Sequence, residues 1–245
     1  PTCASASREI VVYRRSGARH TATLTPTADE NGHYKAGVWV RDSGAGIGTM
    51  SFVDPQRGTF AGLGHSISDA DTGADLTLLS GEIVPVTITG CIRGAAGSPG
   101  ELRGEFAAAP AGTVLANDAA GVYGSYTGSC TAPALPVANL QEVTPGEAEL
   151  WTTVLGTTAQ PYTIQVERVT MTGSDPNRNL LIRVTDKRLL DATGGVVQGM
   201  SGSPIVQNGR LAAVLTHVLV NDPSRGYAIF ATTMLEKADA VASSK

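Results

Sequence analysis

Ser201 sits among small residues in the run Gly199-Met200-Ser201-Gly202-Ser203-Pro204-Ile205-Val206, which leads through Gln207-Asn208-Gly209-Arg210 into the apolar segment 211–215. A serine hydroxyl attacks well only when a base takes its proton and backbone N–H groups face the developing oxyanion. Glycines at 199 and 202 permit the sharp turn that such an arrangement needs. Taken alone, the run is equally a glycine-rich turn before a hairpin, so it defines a candidate and not yet a role. The run Gly62-Leu63-Gly64-His65 offers the base. His65 ends an apolar strand between small residues, where a neutral imidazole accepts the serine proton and returns it to the leaving group. By itself it is also an ordinary turn histidine. His217, among the apolar residues 211–220, is a rival base whose simpler position is core or pocket lining. His20 and His33 stand in polar, turn-like surroundings and point to no chemistry.

The elements that must hold these groups read as short strands. Residues 10–13, 21–24 and 34–40 are β-branched, aromatic or alternating, with Asn31-Gly32 as punctuation. Residues 50–53 and 59–63 form a hairpin around Asp54-Pro55-Gln56-Arg57-Gly58, and His65 follows its second strand. Further strands are expected at 82–89, 104–106, 147–155, 160–172, 180–184, 203–206, 211–220 and 227–231, and a helix at 234–241 around Glu236-Lys237. The Ala, Gly, Ser, Thr and Pro of 107–145 suggest a connection between two halves.

Composition agrees with many strands and tight turns, because 29 Gly and 13 Pro accompany only 16% charged residues in 245. A formal charge of -4 leaves no basic face for a run of phosphates, so nucleic acid is not expected as a partner. No window approaches 18 uninterrupted apolar residues, so neither a membrane span nor a leader segment is expected in this chain. Cys3, Cys91 and Cys130 are too few and too scattered for a paired-cysteine zinc site. A Cys91 to Cys130 bridge and free thiols both remain open.

The sequence resembles the stage IV sporulation protein B peptidases, trypsin-like serine peptidases. The likeness runs through Val40-Arg41-Asp42-Ser43-Gly44-Ala45-Gly46-Ile47-Gly48-Thr49-Met50, Gly62-Leu63-Gly64-His65-Ser66-Ile67-Ser68-Asp69 and Gly97-Ser98-Pro99-Gly100-Glu101-Leu102-Arg103-Gly104. It resumes at Thr185-Asp186 and continues through Gly194-Gly195-Val196-Val197-Gln198-Gly199-Met200-Ser201-Gly202-Ser203-Pro204-Ile205, Thr216-His217-Val218 and Val220-Asn221-Asp222-Pro223. The resemblance implies an all-β, two-barrel chymotrypsin/trypsin-like fold with a C-terminal helix. Residues 1–30 would be N-terminal strands, the remnant of a peptide-binding PDZ domain or simply the first strands of the barrel. Residues 31–130 would form the first barrel with His65, and 131–245 a linker, the second barrel and the helix.

The resemblance also implies Ser201 as nucleophile, His65 as general base and Asp186 as the acid orienting the imidazole, with the N–H groups of Gly199 and Ser201 as the oxyanion hole. Asp186 lies fifteen positions before Ser201, later than trypsin-like chains carry their acid, and Asp69 and Asp71 are its rivals. Met200 and Ser203 depart from the trypsin loop, so activation by an ion pair with a new N-terminus is not expected. Glu101 is the one chemically able residue of the block 97–104, which reads as a turn with a packing role; Asn221-Asp222-Pro223 reads as a turn beside the cleft. No cofactor is implied, because hydroxyl, imidazole and carboxylate suffice for acyl transfer. The expected activity is regulatory cleavage of a few protein substrates, the chain itself among them, outside the cytoplasm and, in the sporulation enzymes, between the spore membranes. An α/β-hydrolase esterase is excluded by Ser203 in place of the last motif glycine and by the lack of alternating β/α segments. An idle binding module that keeps the fold is the alternative that remains.

Overall fold

The structure, a computed structural model, describes residues 8–13, 19–35, 44–69, 73–132, 134–173 and 175–243. The chain divides into two compact units, Pro1–Ala45 and Gly46–Lys245. In the first, β1 (Arg8–Tyr13) pairs antiparallel with β2 (Arg19–Leu24), and β3 (Thr27–Ala28) with β4 (Tyr34–Lys35). The Asp29 carboxylate accepts from the N–H groups of Asn31 (3.0 Å) and His33 (2.9 Å), which closes the turn expected at Asn31-Gly32. The expected strand 34–40 is seen as far as Lys35; residues 36–40 lie outside the described residues, as do Cys3 and Asp71.

The second unit opens with the hairpin of β5 (Met50–Asp54) and β6 (Thr59–Gly62), whose turn is fastened by the Asp54 carboxylate accepting from the N–H of Gln56 at 2.9 Å. The single strand expected at 82–89 is two, β7 (Glu82–Ile83) and β8 (Val86–Ile92). Pro85 has no N–H to give a ladder, and its carbonyl accepts from the Ala107 N–H at 2.8 Å. β8 pairs with β9 (Glu101–Phe106). The segment 107–145, expected to be a connection, contains β10 (Gly112–Asp118) and β11 (Gly121–Tyr126), two central strands of the first sheet. Their residues are small because the strands are crowded: a Cβ on Gly124 would overlap the Thr113 carbonyl and meet the Phe60 ring at 2.8 Å.

The sheet order is β5-β6-β11-β10-β7, open at both ends, with Phe60, Val114 and Val122 packed on it. The second sheet is a closed six-stranded barrel. It takes β12 (Gly146–Thr152), β13 (Gln160–Val169), β14 (Leu180–Val184), β15 (Pro204–Gln207), β16 (Arg210–Val218) and β17 (Arg225–Phe230) in the order β12-β13-β14-β17-β16-β15. Alternation is what the pleat demands: Ala148, Leu150 and Thr152 are buried on β12, and Tyr162, Ile164 and Val166 on β13, with more exposed residues between them. A short helix, α1 (Lys187–Thr193), not expected from the sequence, follows β14, and α2 (Ala231–Ser243) follows β17.

Sheet and barrel meet where α2 crosses them. Ala61 of β6, Tyr123 of β11, Val214 of β16, Ile229 of β17 and Met234 and Ala238 of α2 form one apolar cluster. This cluster holds the end of β6, which leads to His65, against β16 and β17 of the barrel. Tyr123 is fully buried and donates its hydroxyl to the Ala120 carbonyl at 3.0 Å. Tyr123→Phe leaves that carbonyl unpaired and is expected to cost about 1 kcal/mol in denaturant unfolding. Among the described residues, no helix is long and apolar enough to cross a membrane.

Candidate active site

The nucleophile loop is built by burying what flanks Ser201. Met200 is fully buried in the barrel core and Gly202 and Ser203 are buried behind it, which leaves Ser201 half-exposed at the seam. Gly202 has φ +97°, and a Cβ there would overlap the Thr49 carbonyl oxygen. That carbonyl accepts from the Leu63 N–H at 3.2 Å, and the Thr49 N–H donates to the Ser201 carbonyl at 2.8 Å. One residue of the first sheet's leading segment therefore ties the serine loop to the turn before His65.

Backbone donors of the loop divide cleanly. The N–H of Met200 bonds to Val197 O (3.2 Å), that of Gly202 to Leu215 O (2.8 Å) and that of Ser203 to Met200 O (3.0 Å). Among the described residues, the N–H groups of Gly199 and Ser201 have no partner in the fold. The block 97–104 packs against this loop: Leu102 N–H donates to Gln198 O at 2.9 Å, and the Leu102 side chain lies beside Gly199. Glu101 pairs with Arg103 at 3.5 Å.

His65 leaves β6 through a rare turn. Leu63 has φ +67° and the Gly64 N–H donates back to the Gly62 carbonyl at 2.8 Å, a three-residue γ-turn that a leucine adopts only under outside constraint. Gly64 then lies against Thr216, Ile229 and Val214 of the barrel. The His65 Nδ1 is 2.8 Å from the Ser66 carbonyl oxygen. A carbonyl only accepts, so Nδ1 carries the proton and Nε2 keeps the lone pair a base needs.

Thr216 is the hub on the barrel side. The β16–β17 register slips between Leu215 and His217, a bulge that frees the Thr216 carbonyl to accept from the Ser201 hydroxyl at 2.6 Å. The Thr216 hydroxyl, with one proton to give, lies 2.7 Å from the Asn177 carbonyl oxygen and 3.0 Å from that of Tyr227. His217, next along, brings its ring to 4.9 Å from that of His65. Burial, then the neighbouring His65 and Arg178, push the His217 pKa down to about 4, so its ring is neutral at ordinary pH.

The structure does not bring Asp186 to His65. Asp186 caps α1: its carboxylate accepts from the Arg188 backbone N–H (2.8 Å), the Arg188 guanidinium (2.7 Å) and the Thr163 N–H (3.3 Å). Leu181 of β14 is the residue level with His217 across β17, and Asp186 lies five positions further on. At ~3.3 Å per residue that sets its backbone roughly 10 Å or more along the barrel from the level of His217, beside Thr163 of β13. The hydrogen bonds from Arg188 lead the causes that hold its pKa at about 2. The stability this carboxylate contributes is full above about pH 4 and is lost as pH falls through about 2. Asp186→Ala is expected to lower stability by about 1 kcal/mol at neutral pH through the lost cap, with the deficit vanishing in melts near pH 2.

Two further carboxylates, those of Asp75 and Asp222, are engaged as well. Asp75 accepts from the hydroxyls of Ser66 and Ser68 (3.0 Å for Ser68), and Asp69 anchors the same loop through its N–H to Ala74 O at 2.8 Å. Asp222 accepts from the Ser224 N–H at 3.2 Å and pairs with Arg225 at 3.2 Å, the turn expected at 221–223. Cys91 and Cys130 are free thiols. Thr216 and the Asp175–Arg178 turn were not singled out from the sequence; the Thr-His pair of the resembling block was the signal for the first, and nothing marked the second.

The model of the SpoIVB peptidase S55 family matches residues 32–235. No curated protein matches the sequence. Among solved structures, the active form of the Rv3671c protease from M. tuberculosis is similar at 17% identity, covering 83% of this chain and 93% of that one with a TM-score of 0.39. An inactive form of Rv3671c protease is similar at 16% identity, over 58% of this chain and 72% of that one, also with a TM-score of 0.39. Because the family match runs through both the His65 and the Ser201 segments and across most of the chain, this protein belongs to the SpoIVB peptidase S55 family and is a serine peptidase.

Proposed function

We propose that Ser201 is the nucleophile, His65 its general base, and the N–H groups of Gly199 and Ser201 the oxyanion hole. The observation that supports this best is the pair of N–H donors, at Gly199 and Ser201, without a partner among the described residues, in the loop that carries a half-exposed hydroxyl and whose N–H groups at Met200, Gly202 and Ser203 are bonded. On substrate entry the Ser201 hydroxyl turns from the Thr216 carbonyl toward His65 Nε2. The proton moves to that nitrogen as Oγ bonds to the scissile carbonyl, and later passes to the leaving amine. Asp186 enters as the cap of α1, which sets the start of the segment leading to the Ser201 loop.

The wider proposal is an endopeptidase outside the cytoplasm that cuts a restricted set of proteins, the chain itself among them, in regulated proteolytic signalling. Its support is the likeness to the sporulation peptidases. Incubation with a labelled fluorophosphonate, followed by peptide mapping, tests the nucleophile: the label is expected on Ser201. Absence of label from Ser201 would sink the assignment. Digestion of a proteome-derived peptide library tests the restriction, since cuts scattered over most peptides contradict a narrow specificity.

A further inference from the structure

His217 is a titratable group at the seam that the proposed chemistry leaves unused. It reaches the site because of the bulge at Thr216, and its ring stands 4.9 Å from the His65 ring, tilted by 35°. Its Nδ1 is buried without a hydrogen-bond partner. The other groups around it are Asp175 and Arg178 of the adjoining turn, paired with each other at 3.1 Å, and Tyr227 of β17, over which the Arg178 guanidinium sits at 5.2 Å. A ring that resists protonation in this way is a poor proton acceptor, which removes His217 as a second base.

A neutral aromatic ring within about 6 Å of a cation attracts it through its π face. In the proposed step the His65 imidazole becomes an imidazolium as Ser201 gives up its proton, so a ring at this distance acts on the transition state more than on the ground state. We propose that His217 is a positioning residue for His65: its neutral ring fixes the plane of the imidazole and stabilises the imidazolium formed as Ser201 attacks. This rests on Ser201 and His65 being the reacting pair. His217 itself gains and loses no proton in the step; the Ser201 O–H bond breaks, the bond from Oγ to the carbonyl carbon forms as the carbonyl π pair moves onto its oxygen, and the proton resides on His65 Nε2.

The test is the saturation kinetics of fluorophosphonate labelling of Ser201 in the wild type and in the variants His217→Leu and His217→Phe, with thermal melts to show that each is folded. Leu fills the site without a π face, and Phe restores the face without a ring nitrogen. His217→Leu is expected to lower the maximal labelling rate roughly tenfold with an unchanged half-saturating concentration, and His217→Phe to recover most of that loss. Equal rates in the Leu and Phe variants, whether fast or slow, overturn the proposal, as does a change confined to the half-saturating concentration. A wild type that labels elsewhere than on Ser201 overturns the underlying assignment and this one together, and is told apart by the mapped peptide.

Discussion

Ser201→Ala is expected to lower the rate of peptide cleavage by roughly a million-fold, as is His65→Ala, and the double variant to be no worse than either. The nucleophile and its base act as one unit. Without the hydroxyl there is no proton for the imidazole to take, and without the imidazole the hydroxyl stays bonded to the Thr216 carbonyl at 2.6 Å. What survives is the contribution of binding and of the N–H groups at Gly199 and Ser201. Cleavage of a broad peptide library, followed by mass spectrometry, reads all three variants. A double variant a further thousandfold slower than the singles would mean that the two residues act independently, which the proposed proton transfer forbids. Wild-type cleavage retained in Ser201→Ala would remove Ser201 from the chemistry altogether.

The second large effect is expected at a residue that touches no substrate. Gly202 holds φ +97°, and a Cβ added there would overlap the Thr49 carbonyl. Alanine there must both leave a favourable backbone region, at about 1–2 kcal/mol, and displace a packed carbonyl, at about 1–3 kcal/mol. The displaced carbonyl is the one that holds the Leu63 N–H, so the strain passes directly into the γ-turn that aims His65. Gly202→Ala is expected to lower the melting temperature by roughly 10 °C and activity by about a hundredfold or more. Normal activity at a normal melting temperature would show that the loop is not braced in this way.

The parts of the fold that were legible are those where the local pattern and the tertiary environment agree. Strands β12, β13 and β14 of the barrel alternate because one face of each is buried, and a turn sequence such as Asp54-Pro55-Gln56-Arg57-Gly58 has a local cause. The segment 107–145 misled because small residues serve a loop and a crowded strand equally well. The seven-residue α1 is too short for a helical period to show, although Asp186 before it and Gly194 after it, at φ +78°, were its cap signals.

Ser201 and His65 were legible as chemistry, through glycines and motif. Their geometry was not. Nothing in a leucine announces φ +67° at position 63, and nothing in Thr216 announces a bulge, because both are imposed by strands distant in the chain. Asp186 shows the same limit: chain order sets which residues precede Ser201, and it carries no distance to His65.

The barrel order has one more consequence. β17 lies between β14 and β16, so the barrel cannot close before residue 230 has been synthesised, and α2 is made later still. Until then the surface that seats Gly64 lacks Ile229, and the closed barrel that fixes the serine segment against the histidine segment is missing. During translation the growing polypeptide therefore stays without an assembled site until its last barrel strands have been made.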